Sequence, residues 1–106
     1  LLYSNPKQET SMHYMVIYTL KETSSPSEVA ALLRKFQSWQ PPAGITMEAN
    51  WHNGQGGYAL FRTDDYTLLG QVLAQYSGCF TFATDPVIPA KDMVPAALRG
   101  LEWATS

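Results

Sequence analysis

The chain is expected to fold as an α+β protein, with a four-stranded antiparallel sheet carrying two helices on one face. Three observations lead there. Short segments rich in β-branched and aromatic residues alternate with two segments of helical period. Both helical segments open on capping signals. The run Asn50-Trp51-His52-Asn53-Gly54-Gln55-Gly56-Gly57 turns one strand directly back into the next.

Composition bounds the function classes. With 106 residues, 45% hydrophobic and 15% charged, the chain has the make-up of one globular domain. A formal net charge of −2, with only 7 Lys or Arg, leaves no basic stripe for nucleic acid. The apolar run around Met15–Tyr18 is far too short to cross a bilayer, so no membrane role is expected. Residues 1–11 mix Ser, Asn, Pro, Lys, Gln and Glu, lack a basic stretch followed by a long apolar one, and read as an N-terminal arm before a domain spanning 12–106. Met12 is a candidate natural start. The sole cysteine, Cys79, has no partner for an internal disulfide or a thiol pair, so a cytoplasmic setting is expected.

The elements follow in order. His13–Leu20 is apolar nearly throughout, as a central strand covered on both faces should be. Ser25-Pro26-Ser27-Glu28 is a capping box with proline at the first helical position. Val29, Leu32, Leu33 and Phe36 then form one stripe, expected to be core, and Pro41-Pro42-Ala43-Gly44 ends the helix near Trp39. Ile45–His52 alternates as a half-buried strand. With Asn53–Gly57 as the loop, His52 would oppose Tyr58, Asn50 would oppose Leu60 and Glu48 would oppose Arg62. That register gathers Ala49, Trp51, Ala59 and Phe61 on one face and puts Glu48, Asn50, His52 and Arg62 on the other.

Thr63-Asp64-Asp65 opens a second helix with Leu68, Leu69, Val72, Leu73 and Tyr76 as its stripe. Cys79–Thr84 is the last strand, closed by Asp85-Pro86. A short C-terminal helix follows, with Pro95 near its start and Val94, Ala97, Leu98 and Leu101 on one side. The order β-α-β-β-α-β is the ferredoxin-like split βαβ arrangement. Right-handed crossovers put both longer helices on one sheet face. The other face, assigned Tyr14, Val16, Tyr18, Tyr58, Leu60 and Phe82, is too apolar for water, so a sheet-to-sheet homodimer is expected.

Met15-Val16-Ile17-Tyr18-Thr19, Pro41-Pro42-x-Gly44, Trp51-His52, Gly56-Gly57-Tyr58-Ala59-Leu60, Thr63-Asp64-Asp65 and Thr84-Asp85-Pro86-Val87 together resemble a small bacterial family, domain of unknown function 3303. The resemblance covers Met12–Val87, with Asp85 as an inserted or shifted residue. It implies a dimeric α/β barrel, a superfamily that includes cofactor-free monooxygenases, isomerases and haem-degrading enzymes. It implies no catalytic residues. The expected functions are accordingly a monooxygenase-like or isomerase-like small-molecule enzyme without cofactor, or a non-catalytic dimerisation or small-ligand-sensing module.

His52 is the candidate general acid or base, because imidazole titrates near neutral pH. The plainer alternative is a histidine beside a turn, hydrogen-bonded to backbone or water. Tyr18, Trp51 and Tyr58 are expected to shape a pocket for an apolar or aromatic ligand, with Glu48 and Arg62 setting its polarity. Tyr14, Trp39, Tyr76, Phe80 and Phe82 are further candidates for the wall, although aromatics fill cores equally well. No His-x-His, His-Glu-x-x-His or cysteine pair points to a metal. Gly54-Gln55-Gly56-Gly57 lacks the Lys-Ser/Thr of a phosphate loop and leads into a strand. Gly57-Tyr58-Ala59 echoes an RNA-recognition module, but no Lys or Arg precedes Gly57 and Leu60 stands where a stacking aromatic belongs.

Overall fold

Strand β1 (Met12–Leu20), helix α1 (Pro26–Gln37), strands β2 (Ile45–His52) and β3 (Gly56–Thr63), helix α2 (Tyr66–Ala74), strand β4 (Phe80–Val87) and helix α3 (Ala90–Thr105) succeed one another in the computed structural model, which describes residues 12–106. The arm expected over residues 1–11 lies outside the described residues. The strands pair antiparallel in the order β2-β3-β1-β4, which is the ferredoxin-like arrangement.

Local chemistry accounts for the helix starts. Ser25 Oγ accepts the Glu28 N–H, and Glu28 Oε1 accepts the Ser25 N–H at 2.8 Å, closing the capping box. Asp65 Oδ1 accepts from the Thr67 N–H at 3.0 Å and opens α2. Buried Thr63 donates to the Gly44 carbonyl at 2.8 Å, tying the end of β3 to the start of β2. Strand β4 runs through Asp85 and Pro86, three residues beyond the stop expected at Thr84. It is an edge strand, where a proline without an N–H is tolerated. Helix α3 begins five residues before Pro95 and has no buried residue among the described residues.

The hairpin departs from the expected register. Asn53 N–H donates to the Gly56 carbonyl at 2.9 Å, so only Gly54 and Gln55 cap the turn. Gly54 has φ of +92°, and the Asn53 side chain accepts the Gln55 and Gly56 N–H groups. This shorter turn sets His52 against Gly57, Trp51 against Tyr58, Asn50 against Ala59 and Ala49 against Leu60. Beyond a β-bulge between Met47 and Ala49, Met47 opposes Phe61 and Ile45 opposes Thr63. Glu48 is the extra residue. An extra residue reverses the alternation, so Ile45 and Met47 before it share a face with Asn50 and His52 after it.

The helix-covered face therefore carries Val16, Ala59 and Phe61, which pack with Ile45, Leu69 and Val72 into the core. Tyr14, Tyr18 and Phe82 also pack against this core, so the assignment of these three and of Val16 to the open face is corrected. A strand apolar on both sides gives no alternation from which to choose between faces. Tyr58 and Leu60 do lie on the open face, opposite Ile17 and Met15. Glu48 joins them there, its carboxylate accepting from Arg62 Nε at 2.7 Å and lying 3.1 Å from His13 Nε2. The Arg62 hydrogen bond is the main cause holding its carboxyl below the ordinary glutamate range.

Removing the bulge tests this account. With Glu48 deleted, Ile45, Met47, Asn50 and His52 fall into unbroken alternation and keep one face, so no core burial is forfeited. With Thr46 deleted and the bulge kept, Ile45 moves to the other face and forfeits about 2–3 kcal/mol of burial. Urea denaturation should show a loss of that size for the Thr46 deletion and a clearly smaller one for the Glu48 deletion. Equal losses would mean that Glu48 is not the extra residue of the strand.

Candidate functional site

Helix α1 stands off the sheet. Its stripe was expected to be core, yet no residue of α1 is buried among the described residues, and Leu33 is 44% exposed. The gap beneath it is a cavity of about 350 Å³. Leu32, Leu33 and Phe36 form one wall, Val72, Leu73 and Tyr76 a second, and Val16, Met47, Ala59 and Phe61 part of the sheet floor. A volume of that order holds a small organic molecule.

Part of the lining is aromatic. Phe36 stacks on Trp39 with ring centroids 5.8 Å apart, and Tyr76 meets both edge-on at 5.9 and 6.2 Å. Trp39 Nε1 donates to Gln75 Oε1 at 2.9 Å, fastening the segment after α1 to the end of α2. These contacts join the two helical units around the cavity rather than filling it.

The polar corner comes from three residues on two strands. Tyr18 Oη donates to Asn50 Oδ1 at 2.7 Å. Its ring thus reaches from β1 over β3 to β2, and Gly57 is what lets it pass. A methyl group at Gly57 would collide with the Trp51 carbonyl and the Tyr18 ring. Burial raises the Tyr18 phenol above its ordinary value, outweighing the opposing Asn50 hydrogen bond, so it stays a neutral donor near pH 7. His52 lines the same corner, its ring 5.9 Å from that of Tyr18.

His52 Nδ1 accepts the Gly54 N–H at 2.9 Å. A neutral imidazole that accepts at Nδ1 carries its proton on Nε2. In this arrangement His52 is a hydrogen-bond donor, and service as a base requires releasing Nδ1 from the turn. The backbone hydrogen bond expected of a histidine beside a turn is therefore present. Asn50 leaves its amide N–H groups for a second partner, since its carbonyl already serves Tyr18. Two N–H donors, one from the Asn50 amide and one from His52 Nε2, suit a ligand oxygen or a developing oxyanion.

Of the expected site residues, the structure brings Tyr18 and His52 to the cavity and separates the other four. Glu48, Arg62, Trp51 and Tyr58 lie on the opposite sheet face, with Trp51 62% and Tyr58 48% exposed. They do not surround His52, because the bulge at Glu48 and the short turn exchange the faces of β2. Trp39, Tyr76, Phe80 and Phe82 do line the cavity, whereas Tyr14 does not. Asn50 was missed. Its only signal was a neutral amide in a strand beside an aromatic-rich hairpin, which carries no chemistry until the register is known. Cys79 is a buried free thiol, and no three His, Cys, Asp or Glu side chains converge among the described residues.

Gly57→Ala tests how the corner is built. Overpacking of this kind costs about 1–3 kcal/mol. Thermal unfolding should show a larger loss for Gly57→Ala than for Tyr18→Phe, which removes only one hydrogen bond worth about 1 kcal/mol. Equal losses would mean that the Tyr18 ring does not need the glycine.

No helix of the described residues is long and apolar enough to cross a membrane. No curated protein matches the chain in sequence. Among solved structures, B. subtilis LrpC is similar at 13% identity and a TM-score of 0.49, over 84% of this chain and 59% of that one. The chain thus spans 59% of the length of LrpC. A hypothetical Arabidopsis thaliana protein solved in solution is similar at 11% identity and a TM-score of 0.42, over 74% of this chain and 87% of that one. The model of the family described as a domain of unknown function, DUF3303, matches residues 12–101, from the first residue of β1 into α3, and the chain belongs to that family.

Proposed function

We propose that the chain is a small-molecule-binding domain whose ligand lies between α1 and the sheet. The observation that carries this reading is the apolar cavity of about 350 Å³ with its polar groups gathered at Tyr18, Asn50 and His52. The ligand it suits is a compact, largely apolar or aromatic molecule with one oxygen at that corner. A second reading, a cofactor-free enzyme of isomerase-like or monooxygenase-like type, draws on the paired donors Asn50 Nδ2 and His52 Nε2. Such donors favour an enolate or phenolate over its neutral parent, so the protein would stabilise charge while the substrate supplies the reactivity.

Naphthoate and naphthalene are suitable probes, differing only by the carboxylate. Truncation of Asn50 to Ala should weaken naphthoate by about tenfold, as expected for one hydrogen bond to a charged group, and leave naphthalene unchanged. Chemical-shift titration reads both. Equal naphthoate affinity in the two proteins would remove the polar corner from the proposal.

The open sheet face belongs to the same proposal. Ile17, Tyr58 and Trp51 lie side by side across β1, β3 and β2, and are 38%, 48% and 62% exposed. A second copy of the chain covers such a row economically, giving a sheet-to-sheet homodimer. A reducing, cytoplasmic setting suits the lone thiol of Cys79. Sedimentation equilibrium should find a dimer that Tyr58→Glu converts to a folded monomer. A monomeric parent protein would sink the dimer and leave the cavity reading standing.

A further inference from the structure

Tyr76 follows the last turn of α2 and forms part of the cavity wall. Its ring is held by Phe36 and Trp39, both edge-on. Its hydroxyl oxygen is buried and has no hydrogen-bond partner among the described residues. Buried polar groups are nearly always paired, because an unpaired one forgoes the hydrogen bonds it had in water. Elsewhere in this region the polar atoms are satisfied: Trp39 Nε1 by Gln75, Tyr18 Oη by Asn50 and His52 Nδ1 by Gly54. An apolar wall of the same shape needs only phenylalanine at position 76. Burial also raises the phenol above its ordinary value, so near neutral pH the group is a donor in want of an acceptor.

We propose that Tyr76 is a specificity-determining residue whose hydroxyl donates to an uncharged oxygen of the bound molecule, a carbonyl or ether. The inference rests on the ligand-binding reading above and extends it. The ligand class becomes a rigid apolar skeleton with two oxygens, one for the Tyr18–Asn50–His52 corner and one for Tyr76. Such a ligand is selected by its acceptor spacing as well as by its bulk. A hydrocarbon of the same size leaves the Tyr76 hydroxyl unsatisfied and is discriminated against, as occurs wherever a site built to hydrogen-bond meets an analogue lacking the group.

An oxotetralin carboxylate and the tetralin carboxylate lacking its keto group test this directly, since both offer a carboxylate to the corner and they differ by one carbonyl. Both are titrated by two-dimensional NMR into the unaltered protein, Tyr76→Phe and Asn50→Ala. The expected result is a loss of about five- to tenfold in the affinity of the keto compound for Tyr76→Phe, with the other unchanged or tighter, while Asn50→Ala weakens both. Free Tyr76→Phe should melt at the same temperature as the parent or higher, because the hydroxyl it lacks had no partner. Equal affinity of the keto compound for Tyr76→Phe and the unaltered protein, or a loss confined to Asn50→Ala, overturns the role of Tyr76 while leaving the cavity reading intact. A lower melting temperature for free Tyr76→Phe also overturns it, since the hydroxyl would then be satisfied within the free protein. Failure of both compounds to bind the unaltered protein removes the cavity reading and this inference with it.

Discussion

The bulge at Glu48 is the constraint on which the site depends. A regular strand puts alternate residues on opposite faces, so Ile45, Met47, Ala49 and Trp51 would share one face and Glu48, Asn50 and His52 the other. One extra residue breaks that parity. Ile45 and Met47 keep their places against Thr63 and Phe61, while Asn50 and His52 arrive opposite Ala59 and Gly57 on the same, helix-covered side. The cost is a locally interrupted ladder, offset by the Arg62 and His13 side chains that receive the Glu48 carboxylate. Every polar atom that β2 lends to the cavity lies after this residue.

The cavity results from incomplete packing. Helix α2 sends Leu69 and Val72 into the core beside Val16, Ile45, Ala59 and Phe61. Helix α1 is braced by Phe36, Trp39 and Tyr76 and does not descend as far. The sheet is thus roofed closely on one side and loosely on the other. Large side chains at the margin hold the roof up, and a small residue in the floor, Gly57, admits Tyr18 across β3. Aromatic rings here act as spacers as well as filling, which composition alone does not distinguish from ordinary core.

The two sheet faces have separate chemistry. The covered face pairs an apolar hollow with a few oriented donors and acceptors. The open face has the Trp51–Tyr58–Ile17 row and the His13–Glu48–Arg62 charges. Sequence proximity mixes them, since Trp51 and His52 are neighbours that point in opposite directions. A group set drawn from adjacent residues on one strand therefore combines two surfaces that never meet.

The sequence by itself determined the order of elements, both helix starts, the hairpin, the family resemblance and the ferredoxin-like class. These rest on local chemistry: Ser25 with Glu28, Asp65 with Thr67, Asn53 with Gly54 and the period of the apolar residues. It also singled out Tyr18 and His52, which do meet at the cavity. Tertiary structure decided the rest. The turn closed at Asn53 and Gly56, two positions inside the expected loop, and a bulge invisible to alternation reversed the faces of β2. Strand β1 is apolar on both sides, so only its partners reveal that Val16 is core and Ile17 is exposed. Asn50 and Tyr76 acquire meaning in the same way, one from its register and the other from a missing partner. Register, bulges and unpaired atoms are relations between distant segments, and no single segment carries them.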